Sequence, residues 1–123
     1  MGMIEDDLRE LLSDAFDIGV YSRIIPREMP ECVVVQEIGG RTSRAGIRRA
    51  YRLISVMGVS RDASLSREWM LRARDYLTTN IPATIGGTHY YKAVPMADGD
   101  LLMKSLNGPK YVHYCDIEVE ASI

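Results

Sequence analysis

Cysteine and histidine are scarce in this chain of 123 residues, which holds two of each. Cys32 and Cys115 are too few for a disulfide framework, and neither sits in a CxxC or Cys/His cluster. They read as two buried, reduced thiols. No run approaches the ~18–20 consecutive apolar residues that a membrane span needs. The chain opens on Glu5-Asp6-Asp7, where a secretory leader would show a basic start and an apolar stretch. A soluble protein made in the cytoplasm is therefore expected. Net charge is only −2, which argues neither for bulk nucleic-acid binding nor for an acidic tail.

The length suits one domain, 1–123, with enough chain to bury its own core. Ile4, Leu8, Leu11, Leu12 and Ala15 repeat at the helical period and form one apolar stripe, which Gly19 ends. Asp6, Asp7, Glu10 and Asp14 lie off that stripe. Val20-Tyr21 and Ile24-Ile25 read as a short extended piece before Pro26. Cys32-Val33-Val34-Val35 reads as a strand buried on both faces, ended by Gly39-Gly40. Residues 41–49 read as the tip of a long hairpin leading into a strand from Tyr51 to Val59. Ser60 to Asn80 reads as a second helix with the stripe Leu65, Trp69, Ala73, Tyr76 and Leu77. Asn80 is expected as a left-handed cap ahead of Pro82. A run from His89 to Val94 and a turn at Ala97-Asp98-Gly99-Asp100 follow.

Strict alternation marks the last segment as a strand. Tyr111, His113, Cys115, Ile117, Val119 and Ala121 share one face; Val112, Tyr114, Asp116, Glu118 and Glu120 share the other. Strands come in hairpin-like pairs, so the expected fold is α+β. It has a largely antiparallel sheet of four to five strands, two amphipathic helices on one face and a long projecting hairpin.

Catalytic and metal motifs are missing. His89 and His113 show no HxH or HExxH spacing. His113 and Cys115 share a strand face and read either as half of a metal site or as a core histidine beside a core thiol. Asp98-Gly99-Asp100 matches the opening of a calcium loop without its remaining ligands. Gly39-Gly40 and Gly86-Gly87 do not extend into a phosphate-binding motif, and no serine sits in a nucleophile elbow. Neither an enzyme nor a cofactor is expected.

Charge is segregated along the chain. The stretch from Arg41 to Arg52 holds five arginines (Arg41, Arg44, Arg48, Arg49, Arg52) and no acid, whereas the first seventeen residues hold six acids and one arginine. Asp116, Glu118 and Glu120 add acids on one strand face. Three meanings stand open. The charges can simply be solvated. They can pair between subunits, where arginine suits bidentate contact with carboxylates and two different patches generate a ring. The arginines can instead face DNA phosphates, with salt-dependent, sequence-blind binding.

The order of these segments resembles that of the tail terminator, or tail completion, proteins of long-tailed bacteriophages. The resemblance runs through "IEDDLRELLSDAF", "GVYSRIIP", "MPECVVVQEIGG", "RTSRAGIRR", "AYRLISVMGVS", "SLSREWMLRARDYL" and "YVHYCDIEVEAS", nearly the whole chain. It is one of order, length and texture, since that family carries no catalytic motif. It implies a structural virion protein at the tail–head junction, made in the host bacterial cytoplasm. Its copies would form a ring, commonly a hexamer, that ends tail-tube growth and presents a surface to the head connector, with DNA passing through the lumen. The partners implied are the chain itself, the tail tube protein, a connector or neck protein and non-specific DNA, with no membrane. Arg41, Arg44, Arg48 and Arg49 would contact a neighbouring subunit, the tube or the lumen, and Asp116, Glu118 and Glu120 would form the opposing patch. The alternative is a small nucleic-acid-binding module using the Arg41–Arg52 hairpin.

Overall fold

The computed structural model describes residues 4–23, 31–42, 49–96, 100–104 and 111–122, with the backbone alone at 41–42, 49 and 100–104. Helix α1 (Ile4–Ser13) leads into strands β1 (Gly19–Ser22), β2 (Cys32–Thr42) and β3 (Arg49–Ser60). Helix α2 (Ala63–Asn80) follows, and then β4 (Ala83–Ile85), β5 (Thr88–Pro95), β6 (Asp100–Lys104) and β7 (Tyr111–Ser122). The fold is α+β, as the segment order predicts.

The described strands form one mixed sheet in the order β1-β2-β3-β7-β5-β4, with β6 paired to β7 off that path. It therefore has more strands than the four to five expected. It is also not wholly antiparallel, because β1 runs parallel to β2, with Gly19 opposite Cys32 and Ser22 opposite Val35. The other pairs are antiparallel. The backbone of the sheet is the β3–β7 ladder, which runs unbroken from Arg49↔Ser122 to Ser60↔Tyr111. β5 and β6 lie end to end along the far edge of β7 and pair with Ile117–Ala121 and Tyr111–Tyr114 respectively.

Both helices pack on one face. Ile4, Leu8 and Leu12 of α1 and Met70, Ala73 and Leu77 of α2 close over Val33, Val35, Ile54, Val56, Cys115, Ile117, Val119 and Ala121. Each fully buried leucine or isoleucine here contributes roughly 1.5–3 kcal/mol relative to exposure. The opposite face carries a second, smaller cluster of Cys32, Val34, Met57, Val59 and Val112, with Tyr21 and Tyr114 against it. Cys32 and Cys115 are both buried and unbridged, on opposite faces.

Several local expectations are corrected. α1 ends at Ser13, and Gly19 opens β1 instead of stopping the helix. Asp7, expected off the apolar stripe, is buried along with Glu5. Gly39-Gly40 does not end β2; a bulge between Glu37 and Gly39 absorbs one residue, and pairing continues to Thr42↔Ala50. A bulge bends a strand without ending its ladder.

α2 begins at Ala63, where the Asp62 side chain caps the Ser64 N–H at 2.8 Å. Its buried stripe is Ser66, Met70, Ala73 and Leu77, while Leu65 is exposed and Trp69 and Tyr76 are only partly buried. Gly58 explains the rotation. A Cβ there would lie 2.1 Å from the Ser66 carbonyl oxygen and 2.7 Å from the Met70 nitrogen. Only glycine lets the Ser66–Met70 turn approach β3 so closely. At the other end Asn80 stays helical, its side chain donating to the Tyr76 carbonyl at 2.8 Å, and Ile81 is the extended cap. Gly86 and Gly87 form a two-residue hairpin turn between Ile85 and Thr88, both at positive φ (58° and 82°), as a primed turn requires.

Candidate assembly face

Three acids of α1, Glu5, Asp6 and Asp7, are held within the protomer. Arg23 stands just after β1 at a φ of 74°, a region non-glycine residues rarely occupy, and its N–H donates to the Val35 carbonyl at 2.9 Å. Its Nε donates to Glu5 Oε1 at 2.9 Å and its Nη2 to Asp6 Oδ2 at 3.2 Å. The Glu5 hydrogen bond, followed by the charge of Asp6, pushes the guanidinium pKa up from its already high value. The second oxygen of Glu5 accepts the Glu37 backbone N–H at 3.0 Å, and Ser22 Oγ donates to Asp6 at 3.3 Å. Asp7 accepts from the Tyr90 hydroxyl. Burial, then the hydrogen bond and charge of Asp7, push the Tyr90 phenol well above its ordinary range. Glu5, Asp6 and Asp7 thus tie α1 to β1, β2 and β5.

The acids of β7 are placed differently. Alternation turns Cys115, Ile117, Val119 and Ala121 toward the helices and Asp116, Glu118 and Glu120 toward the face that neither helix covers. All three are half-buried. β7 is an interior strand, so the acids stand in the middle of a face and not along an edge. Ser55, Leu53 and Tyr51 of β3 are opposite Asp116, Glu118 and Glu120, and Val94 and Lys92 of β5 flank Glu118 and Glu120 on the other side. Asp116 Oδ1 is buried with no hydrogen-bond partner among the described residues, a position that costs about 1–3 kcal/mol when nothing compensates it.

This face is divided along its length. Toward the Val59↔Val112 end it is apolar and buried, and toward the Tyr51↔Glu120 end it is polar and half-exposed. The register places Arg41 of β2 opposite Tyr51, and hence in one row with Glu120 and Lys92. Arg49 stands opposite Ser122, one position further on. Arg41 and Arg49 are thus placed at the acidic end of the sheet. Arg44 and Arg48 lie outside the described residues. Arg52 belongs to the helix-side row with Ile54, and its Nη1 meets Glu37 Oε1 at 3.3 Å.

His113 points to the helix side, where its Nδ1 meets Ser66 Oγ; Ser66 also donates to the Ala63 carbonyl at 2.9 Å. Cys115 lies in the apolar core. His113 thus meets α2 and Cys115 packs against the core beneath it. Among the described residues no group of three or more His, Cys, Asp or Glu is placed to hold a metal ion. His89 contacts Thr84 Oγ1 at 2.9 Å and stacks edge-on against Tyr91. Asp98 lies outside the described residues and Asp100 opens β6. No helix among the described residues is long and apolar enough to cross a membrane.

Sequence patterning isolates the acidic row, since alternation alone assigns its face. It misses Lys92, Leu53 and Tyr51, which join the row only through cross-strand register. It also misses the tethering of α1, which needs contacts between residues as far apart as Asp7 and Tyr90. No protein-family model matches this chain, and no curated protein matches it.

Proposed function

We propose that this chain is a structural virion subunit of the tail terminator type. Copies close into a ring, a hexamer, that ends tail-tube growth and offers the head connector a surface at the tail–head junction, with DNA passing through the lumen. The work is geometric, and its energy comes from interfaces. One observation carries the reading. Glu5, Asp6 and Asp7 of α1 are bonded inside the fold, while Asp116, Glu118 and Glu120 form a row on the face of the central strand that neither helix covers. A charged surface beside a basic hairpin suits head-to-tail contacts, in which two different patches meet and the rotation closes. The resemblance in segment order supports the same station.

The test is mass in solution by light scattering, over a range of protein and salt concentrations, with a salt-titrated duplex-DNA binding assay beside it. A particle near six chains that dissociates as salt rises supports the ring. A monomer with strongly salt-dependent DNA affinity assigns the arginine hairpin to nucleic-acid binding instead.

A further inference from the structure

The three acids of β7 do not have the same neighbours. Glu120 shares its row across the sheet with a base, since Lys92 of β5 stands beside it. The rows of the other two hold none. That of Glu118 runs Gly39, Leu53, Glu118 and Val94, and that of Asp116 runs Gln36, Ser55 and Asp116. The Met96 N–H donates to the Asp116 carbonyl at 2.8 Å. This bond carries the antiparallel register one step past Pro95↔Ile117 and sets Met96 beside Asp116.

Two carboxylates are thus flanked by apolar side chains that face solvent. Val94 is 37% exposed and Met96 57%, two of the four large hydrophobics exposed among the described residues. A carboxylate pair set in open apolar surface repels phosphate and suits a guanidinium. Its planar, weakly hydrated head meets carboxylates bidentately, and its methylene stem packs on apolar neighbours. Arg49 of the same chain stands opposite Ser122, six residues along β7 from Asp116. At ~3.4 Å per residue that is about 20 Å, further than one side chain spans.

We propose that the patch of Leu53, Val94, Met96, Asp116 and Glu118 receives arginine side chains of a second copy, drawn from its Arg41–Arg49 run. The chain itself carries the complementary charge, since the stretch from Arg41 to Arg52 holds five arginines and no acid. Patch and run are different surfaces, so each copy offers one and fills the other. Such a contact is heterologous and makes a ring when the rotation closes. Glu120, with Lys92 in its own row, lies outside the contact. The inference rests on the ring reading and specifies which part of the acidic row is the interface.

The test compares full-length Glu118→Gln, Val94→Ser and Glu120→Gln with the wild type by analytical ultracentrifugation, with circular dichroism and thermal melts as controls for folding. Glu118→Gln and Val94→Ser are each expected to raise the half-assembly concentration by roughly tenfold or more, through loss of a charge-assisted contact or of its apolar flank. Glu120→Gln is expected to raise it by less than about threefold. Glu118→Lys mixed with the Arg48→Glu, Arg49→Glu double variant is expected to yield a 1:1 dimer that grows no further, since each retains the surface the other lacks. Folded Glu118→Gln and Val94→Ser that assemble as the wild type does, or a larger effect from Glu120→Gln, overturn the patch and leave the ring reading standing. A mixture that stays monomeric overturns the arginine run as its occupant. A wild-type chain that is monomeric at every concentration overturns both readings.

Discussion

Replacing Tyr90 by phenylalanine removes one oxygen from a site where it cannot be replaced by water. Tyr90 is 1% exposed and Asp7 4%, and the phenol donates to Asp7 Oδ2. A hydrogen bond to a charged group contributes about 1.5–3 kcal/mol, and its loss strands a buried carboxylate oxygen. At ~2.1 cal/mol/K per residue, unfolding 123 residues carries an entropy of about 0.26 kcal/mol/K. The melting temperature should therefore fall by about 6–12 °C at neutral pH, measured by calorimetry. The pH dependence gives a second reading. The folded phenol titrates above its ordinary value, while in the unfolded chain it ionises near ~10. Its contribution is whole below ~10 and is lost as pH rises beyond that toward the folded value. Wild-type stability should thus fall more steeply than that of Tyr90→Phe in alkali, and the gap between the two should narrow. A change under about 2 °C at neutral pH, or identical alkaline slopes, would refute the buried pair and with it the tethering of α1 to β5.

Gly58→Ala should cost ~1–3 kcal/mol or more because its Cβ meets helix backbone at 2.1 Å. Gly39→Ala, whose nearest neighbour is Leu53 Cβ at 4.0 Å, should cost well under that; paired urea titrations decide. Arg48→Glu with Arg49→Glu should abolish ring formation in light scattering without lowering the melting temperature, and unchanged assembly sinks the assignment of those arginines. Adding Glu118→Lys and Glu120→Lys to that double variant should restore part of the assembly if the two patches meet.

The legible parts of the fold were those set by local repetition. β7 alternates without interruption, so its two faces were assigned correctly from Cys115 to Ala121. The helical period of Ile4, Leu8 and Leu12 fixed the docking side of α1. The failures came where tertiary contact overrode period. α2 turns Ser66 and Met70 inward instead of Leu65 and Trp69, because Gly58 admits helix backbone and His113 satisfies the serine. Glu5 and Asp7 look solvated in sequence, and only Arg23, Glu37 N–H and Tyr90 make their burial tolerable. The parallel pairing of β1, the bulge after Glu37 and the end-to-end placement of β5 and β6 depend on register between distant segments. The acidic row was visible as a pattern, but its position on an interior strand was not.

The central position of β7 also dictates when the domain can come into being. β7 is the last strand in chain order, yet it fills the gap between β3 and β5–β6. Until residues 111–122 have left the ribosome, β3 has no neighbour on one side, and the helix-face core lacks Cys115, Ile117, Val119 and Ala121. Local pieces such as the β2–β3 hairpin and α2 can form early, but closure waits for pairings of long sequence separation, which are slow because the loop must close before contacts reward it. Folding of this domain is therefore concluded after synthesis of its final strand, and nascent chains halted before Tyr111 should fall to proteases and chaperones.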